Sequence, residues 1–120
     1  MSKTILIIDD DTRNIFALSA VLKARHFNCL TATSAAEGIE LLHSNRQIDA
    51  VLMDMMMPDM DGYEAIKVIK SDAAIPSVPI IAVTAQAMRG DEDKVLAGGA
   101  DTYIAKPVDI DKLLKVLLDL

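Results

Sequence analysis

Aspartate, threonine and lysine residues follow short apolar runs of this sequence, at Asp9, Asp10, Asp54, Thr84 and Lys106. Two carboxylates about 4 Å apart repel each other by roughly 4 kcal/mol at an effective dielectric constant near 20. A cluster of three is therefore unfavourable unless a cation lies between them, and hard oxygen ligands favour Mg²⁺ or Mn²⁺. A hydroxyl and an ammonium beside that ion would bind phosphoryl oxygens. The residue types thus predict a phosphoryl site in which a carboxylate can be the nucleophile.

Strand-like and helix-like segments alternate along the chain, and this alternation decides whether the five residues can meet. Branched apolar runs predict five strands, at Ile5–Ile8, Cys29–Thr33, Asp49–Met53, Ile80–Val83 and within DTYIAKP. Apolar residues at helical spacing predict a helix after each strand, at Thr12 to about Arg25, Ser34 to about Asn45, Tyr63–Lys70, within AMRGDEDKVLAGG and after Asp109.

Several of these helices carry sequence signals at their ends. Asp11 and Asp109 are typical N-cap residues, because their carboxylates can accept the unpaired N–H groups of a first helical turn. Ser34 and Glu37 form a capping box, in which each side chain is expected to bind the other residue's backbone N–H. Gly98 is expected as the left-handed residue that ends the fourth helix.

Five βα units in 120 residues predict one α/β domain over residues 1–120, with a doubly wound parallel sheet. In such sheets, binding sites form beyond the carboxyl ends of the strands. The flavodoxin-like strand order 2-1-3-4-5 makes the first and third strands neighbours, which would bring Asp9, Asp10 and Asp54 into one pocket. Thr84 and Lys106 would flank that pocket on the other side.

Composition and charge exclude several classes of function. The net charge of −6 argues against direct nucleic-acid binding, which needs a basic surface. No apolar run reaches the length of a membrane span, and the N-terminal MSKTILIIDD lacks the long apolar stretch of a signal peptide. Cys29 is the single cysteine, so no internal disulfide can form, and we expect a cytoplasmic protein.

Four stretches, ILIIDDD, VLMDMMMPDMDGYE, PIIAVTA and GADTYIAKPVD, stand in the order and spacing of one known family. On these motifs the chain resembles the CheY-like receiver domains of response regulators in two-component and phosphorelay signalling. The resemblance extends from about Lys3 to Leu118. It is greatest to the receivers of hybrid histidine kinases and to single-domain regulators.

The resemblance implies a role for each acidic residue of the predicted pocket. Asp54 would be the phosphoacceptor. Asp10 would bind Mg²⁺ directly, Asp9 would hold the ion mainly through water, and Asp54 with the backbone carbonyl of Met56 would complete the protein ligands. The phosphoryl group would come from a sensor histidine kinase or a histidine phosphotransfer protein.

The resemblance also implies how phosphorylation is read. Thr84 would donate its hydroxyl to the phosphoryl group and Lys106 would pair with it, with a cis bond between Lys106 and Pro107. Tyr103 would turn inward as Thr84 moves, changing the affinity of a surface on the fourth helix, fifth strand and fifth helix for a downstream protein. Met56 and Gln86 occupy positions that tune dephosphorylation, and we expect only self-catalysed transfer and hydrolysis, not an enzyme with a separate substrate.

Other functions are compatible with the same residues. The first alternative is a Mg²⁺-dependent phosphatase or phosphotransferase with an aspartyl intermediate, although such enzymes need a second carboxylate where this chain has Met56. A flavin-binding domain would require a Ser/Thr/Gly phosphate cradle, and the first loop here carries three acids instead. A receiver-like domain that is never phosphorylated is the third alternative, and the complete set of site residues disfavours it.

Overall fold

All five predicted strands and five predicted helices occur in a computed structural model of the protein, which describes residues 3–45, 47–57, 60, 62–84 and 91–119. The strands are β1 (Thr4–Ile8), β2 (Asn28–Ala32), β3 (Ala50–Asp54), β4 (Ile80–Thr84) and β5 (Thr102–Ala105). The helices are α1 (Thr12–Ala24), α2 (Ala35–Ser44), α3 (Gly62–Ser71), α4 (Asp91–Ala97) and α5 (Ile110–Leu118). Across these described residues, none of the helices has both the length and the apolar character of a membrane span.

The strands form one parallel sheet in the order β2-β1-β3-β4-β5, which confirms the predicted topology. Ile8 at the end of β1 pairs with Met53 of β3, and Asp54 pairs with Val83 of β4. The strand ends are therefore level to within about one residue across the centre of the sheet. This register brings the polar residues that follow β1 and those that end β3 and β4 to the same edge.

Alternate residues of the central strands pack into two separate cores. Ile5 and Ile7 of β1 face the core formed with α1 and α5, whereas Leu6 and Ile8 face the core formed with α2, α3 and α4. All four side chains are buried. Full burial of one such side chain stabilises the fold by roughly 1.5–3 kcal/mol, so the central strands are held firmly on both faces.

The N-cap predictions for α1 and α5 are confirmed. The Asp11 carboxylate accepts the N–H of Arg13 at 2.9 Å. The Asp109 carboxylate accepts the N–H groups of Asp111 at 3.0 Å and Lys112 at 3.3 Å. These bonds satisfy donors that the first helical turn leaves unpaired.

The capping box of α2 forms only in part. The hydroxyl of Ser34 accepts the N–H of Glu37 at 3.2 Å, as predicted. The Glu37 carboxylate instead accepts from the backbone N–H of Thr33 at 3.4 Å and from the Thr33 hydroxyl at 3.2 Å. Thr33 offers two donors to one carboxylate oxygen, and this pair takes the place of the predicted bond to Ser34.

The end of α4 lies one residue beyond the predicted position. Gly99 has a φ of +111°, so Gly99 and not Gly98 is the left-handed residue. The N–H of Gly99 donates to the carbonyl of Leu96, and the N–H of Ala100 donates to that of Val95. This is the Schellman pattern, in which the glycine stands one residue past the C-cap. The first residues of the predicted helix, 87–90, lie outside the described part of the chain.

Several strand boundaries also differ from the prediction by one residue. β2 begins at Asn28 because Asn28 pairs with Thr4 at the start of β1. β3 spans Ala50–Asp54, one residue later than the strand-like run Asp49–Met53, and Asp54 stands at the strand end as predicted, still paired with Val83 of β4. Asp54 is thus held by the sheet itself and not by the loop that follows.

His26 follows the C-cap residue of α1 and has an unfavourable backbone conformation. Its φ is +71°, in the left-handed region, and its N–H donates to the carbonyl of Lys23. We predict that His26→Gly raises the free energy of unfolding by about 0.5–1 kcal/mol, because glycine adopts this φ without steric cost. Arg25→Gly is the matched control: Arg25 has a φ of −102°, so glycine there should lower stability. Denaturant unfolding of both variants measures this, and a destabilised His26→Gly would contradict it.

Candidate functional site

Asp9 and Asp10 leave β1 in different environments. The N–H of Asp9 donates to the carbonyl of Ala32 at 3.1 Å, which continues the pairing of β1 with β2 by one residue. The Asp9 carboxylate is buried and accepts the N–H of Asp11 at 2.8 Å. Asp10 is exposed. The loop therefore fixes one carboxylate inside the protein and presents the other at the surface.

Asp54 is the last residue of β3, and its side chain is only 3% exposed. Its Oδ1 atom accepts the backbone N–H of Met56 at 3.1 Å and the ammonium of Lys106 at 3.4 Å. Both donors bind the same oxygen, which fixes the orientation of the carboxylate at the sheet edge.

The three carboxylates of Asp9, Asp10 and Asp54 lie together as the sequence predicted. One oxygen from each residue lies within 4.8 Å of the other two. Burial raises the pKa of Asp9; the charge of Asp54 raises it further, while the N–H of Asp11 and the ammonium of Lys106 oppose the rise. A set of hard oxygen ligands with an excess of negative charge fits Mg²⁺ or Mn²⁺.

Lys106 links the acids to the neighbouring strand end. Its ammonium lies 3.4 Å from Oδ1 of Asp54 and 3.9 Å from Oδ2 of Asp9. Its backbone N–H donates to the carbonyl of Thr84 at 2.7 Å, and Thr84 is buried at the end of β4. The peptide bond between Lys106 and Pro107 is cis. All five residues chosen from the sequence thus stand at the same edge of the sheet.

The remaining predicted residues surround this group at different depths. Tyr103 is half-buried in β5 and packs against the core formed with α2, α3 and α4. The side chain of Met56 is 55% exposed, and its backbone N–H reaches Asp54. Gln86 lies outside the described residues.

The structure adds neighbours that the motifs did not indicate. Asn14, Ala17 and Val21 of α1 line a cavity whose wall also includes Asp9 and Lys106. A sequence signal for this wall exists, because the three α1 residues are spaced three and four apart and so share one face of a helix. They lie in the interior of a helix and not at a strand end, so their position alone does not indicate a functional site.

Comparison with known proteins identifies the class. The family model of the response regulator receiver domain matches residues 5–118. The chain therefore belongs to the response regulator receiver family of two-component signalling, and the resemblance stated from the sequence motifs is confirmed.

Individual relatives agree with this assignment. The chain is 31% identical over 117 residues to the polar-differentiation response regulator DivK of Brucella ovis, covering 98% of this chain and 94% of DivK. A response regulator receiver protein of Pseudomonas putida has a similar fold, with a TM-score of 0.91, 27% identity and coverage of 100% and 98%. The receiver domain of a Pseudomonas aeruginosa sensor histidine kinase has a TM-score of 0.88, 30% identity and coverage of 99% and 97%, and holds magnesium in its active site cleft.

The two neighbouring acids Asp9 and Asp11 should respond to neutralisation with opposite signs. Without a divalent ion, we predict that Asp9→Asn raises the free energy of unfolding by about 1 kcal/mol, because its charge is buried beside other acids. Asp11→Asn should lower it, because the N–H of Arg13 holds the pKa of Asp11 below its usual range.

Denaturant unfolding in excess chelator measures both changes. Adding Mg²⁺ should stabilise the wild-type protein and Asp11→Asn more than Asp9→Asn. A loss of stability in chelated Asp9→Asn, with Asp11→Asn unchanged, would contradict the electrostatic account.

Proposed function

We propose that the protein is a phosphorylation-controlled signalling switch in which Asp54 accepts a phosphoryl group in the presence of Mg²⁺. The observation that supports this most directly is the environment of Asp54: a buried carboxylate bound by Lys106 and placed within 4.8 Å of two further acids. Family membership makes the role of a receiver the natural one for this geometry.

Asp54 is prepared to act as the nucleophile by its fixed orientation. The Met56 N–H and the Lys106 ammonium hold Oδ1, so the carboxylate does not have to be ordered when the phosphoryl donor arrives. Transfer of a phosphoryl group depends mainly on such positioning and on neutralisation of charge. A carboxylate oxygen attacks phosphorus, and the bond from phosphorus to the donor atom breaks.

Charge on the transferring oxygens must be balanced at a site that is itself acidic. Asp9, Asp10 and Asp54 carry the ligand oxygens for Mg²⁺, which would supply electrostatic stabilisation of the phosphoryl oxygens. The carbonyl of Met56 is the further ligand in our proposal. Lys106 supplies a positive charge from the protein, and Thr84 at the end of β4 supplies a hydroxyl.

Phosphorylation would change the structure through the ends of β4 and β5. The bond from the Lys106 N–H to the Thr84 carbonyl joins these two strand ends, so movement of either residue toward a phosphoryl group affects both. Tyr103 is half-buried on β5 and close to Lys106 in sequence, so a movement of Lys106 would also displace Tyr103. We propose that this shift changes the surface formed by α4, β5 and α5, which a downstream protein recognises.

The donor in this proposal is a phosphohistidine of a sensor kinase or phosphotransfer protein in the cytoplasm. Residues 1–120 would act as one receiver domain. DivK is a response regulator, and the P. aeruginosa relative is part of a sensor histidine kinase. Both arrangements suit the chemistry of this chain. Family membership favours this reading over the phosphatase alternative, and Met56 still stands where such a phosphatase needs its second carboxylate.

Asp54→Asn should abolish phosphorylation, because the amide lacks the nucleophilic carboxylate oxygen. Intact mass after incubation with acetyl phosphate and Mg²⁺ measures the labelled fraction. Asp93→Asn, at an exposed position of α4, is the matched control and should label like the wild-type protein. Full labelling of Asp54→Asn would show that another residue is the acceptor.

Lys106→Ala should keep the metal site but block the switch, because the three acids remain while the ammonium that joins Asp54 to β5 is removed. Backbone amide NMR separates the two effects: Mg²⁺ titration should still shift Asp10, whereas beryllofluoride should no longer shift Thr84 and Tyr103. Lys115→Ala, exposed on α5, is the control and should respond normally. A complete beryllofluoride response at Tyr103 in Lys106→Ala would refute this role.

A further inference from the structure

A cavity of about 320 Å³ lies between α1 and the segment that enters α5. Ala17, Leu18 and Val21 form its wall on α1, and Val108 and Ile110 form the opposite wall. These five side chains are apolar, and Asn14 is the one uncharged polar side chain of the described lining, so most of the wall suits a hydrocarbon group. About 150 Å³ suffices for benzene in an engineered apolar cavity, so the volume here accommodates a short acyl chain.

The polar end of this cavity is part of the phosphoryl site. Asp9 and Lys106 line the cavity, and the Lys106 ammonium also lies 3.4 Å from Oδ1 of Asp54. A molecule with a phosphate near Lys106 and an apolar tail of a few carbons could therefore occupy both spaces together. Among the described lining residues, Lys106 is the cation between the cavity and Asp54, and its positive charge favours a ligand with an anionic head group.

We propose that the α1–α5 cavity binds the acyl group of small-molecule phosphodonors, so that the protein prefers acyl phosphates with short hydrocarbon chains over acetyl phosphate. This inference rests on the proposed role of Asp54 as phosphoacceptor. In the reaction, a carboxylate oxygen of Asp54 bonds to phosphorus and the bond between phosphorus and the acyl oxygen breaks. The carboxylate leaves with that electron pair, and no proton has to move.

The size of the preference follows from the burial of methylene groups. Each buried CH₂ contributes ~0.8 kcal/mol, which corresponds to about a fourfold change in rate when the group is buried in the transition state. Full burial of the two extra methylenes of butyryl phosphate would give about a 15-fold preference over acetyl phosphate. Acetyl, propionyl and butyryl phosphate have leaving carboxylates of nearly equal basicity, so the comparison reports binding.

The test is the second-order rate of Asp54 phosphorylation with acetyl, propionyl and butyryl phosphate in excess Mg²⁺. We expect the rate to rise along the series for the wild-type protein. Ala17→Phe fills the cavity and should remove the rise, as judged by the butyryl-to-acetyl ratio. Ala20→Phe is the matched control: Ala20 is also exposed on α1 but lies outside the cavity wall, so its ratio should stay at the wild-type value.

Equal rates for the three donors would overturn the proposal. The cavity would then be better explained as a binding site for an apolar side chain of a protein phosphodonor. A preference that survives Ala17→Phe would overturn it as well. Failure of all three donors to label Asp54 would instead refute the proposed function, so the two failures are distinguishable. A second measurement needs no variant: butylphosphonate, which cannot transfer its phosphorus group, should shift the amides of Ala17 and Val108, and unchanged amides would refute the site.

Discussion

Repulsion among Asp9, Asp10 and Asp54 is the constraint on which this structure depends. Their oxygens lie within 4.8 Å of one another, and two of the three side chains are buried. Each close pair costs on the order of 4 kcal/mol at an effective dielectric constant near 20. Lys106 offsets part of that cost through its contacts with Asp54 and Asp9. The residual negative charge suits the binding of a divalent cation, which in the proposed function would attract a phosphoryl group.

The sheet tolerates this unfavourable cluster because the central strands β1, β3 and β4 are mostly apolar and almost completely buried. Four consecutive side chains of β1, Ile5 through Ile8, are buried, and each contributes roughly 1.5–3 kcal/mol. Asp54 is itself paired with Val83, so the pairing of β3 with β4 continues to the last residue of β3. The buried side chains stabilise the central strands, and the acidic cluster lies at the edge of the sheet where those strands end.

The sequence predicted the topology and the five site residues because strand ends in a parallel sheet must meet at one edge. Details that depend on tertiary packing were not predictable. Gly98 and Gly99 are adjacent and chemically identical, and only the hydrogen bonds of Ala100 and Gly99 decide which one is left-handed. The choice of Thr33 as the partner of Glu37 depends on how the end of β2 meets α2. The α1–α5 cavity arises between elements distant in sequence, where no local pattern records the gap.

In the proposed function, Lys106 would couple phosphorylation to partner recognition because it directly follows the edge strand β5. β5 pairs only with β4 among the described strands, and its residues are mostly half-buried, whereas β1, β3 and β4 are nearly fully buried. Displacing β5 therefore disturbs fewer packed side chains than displacing a central strand. The backbone bond from Lys106 to Thr84 carries such a displacement to β4. In the proposed function, a new charge on Asp54 would act on both strand ends through Lys106, and β5 would move more easily than β4 because its side chains are less buried.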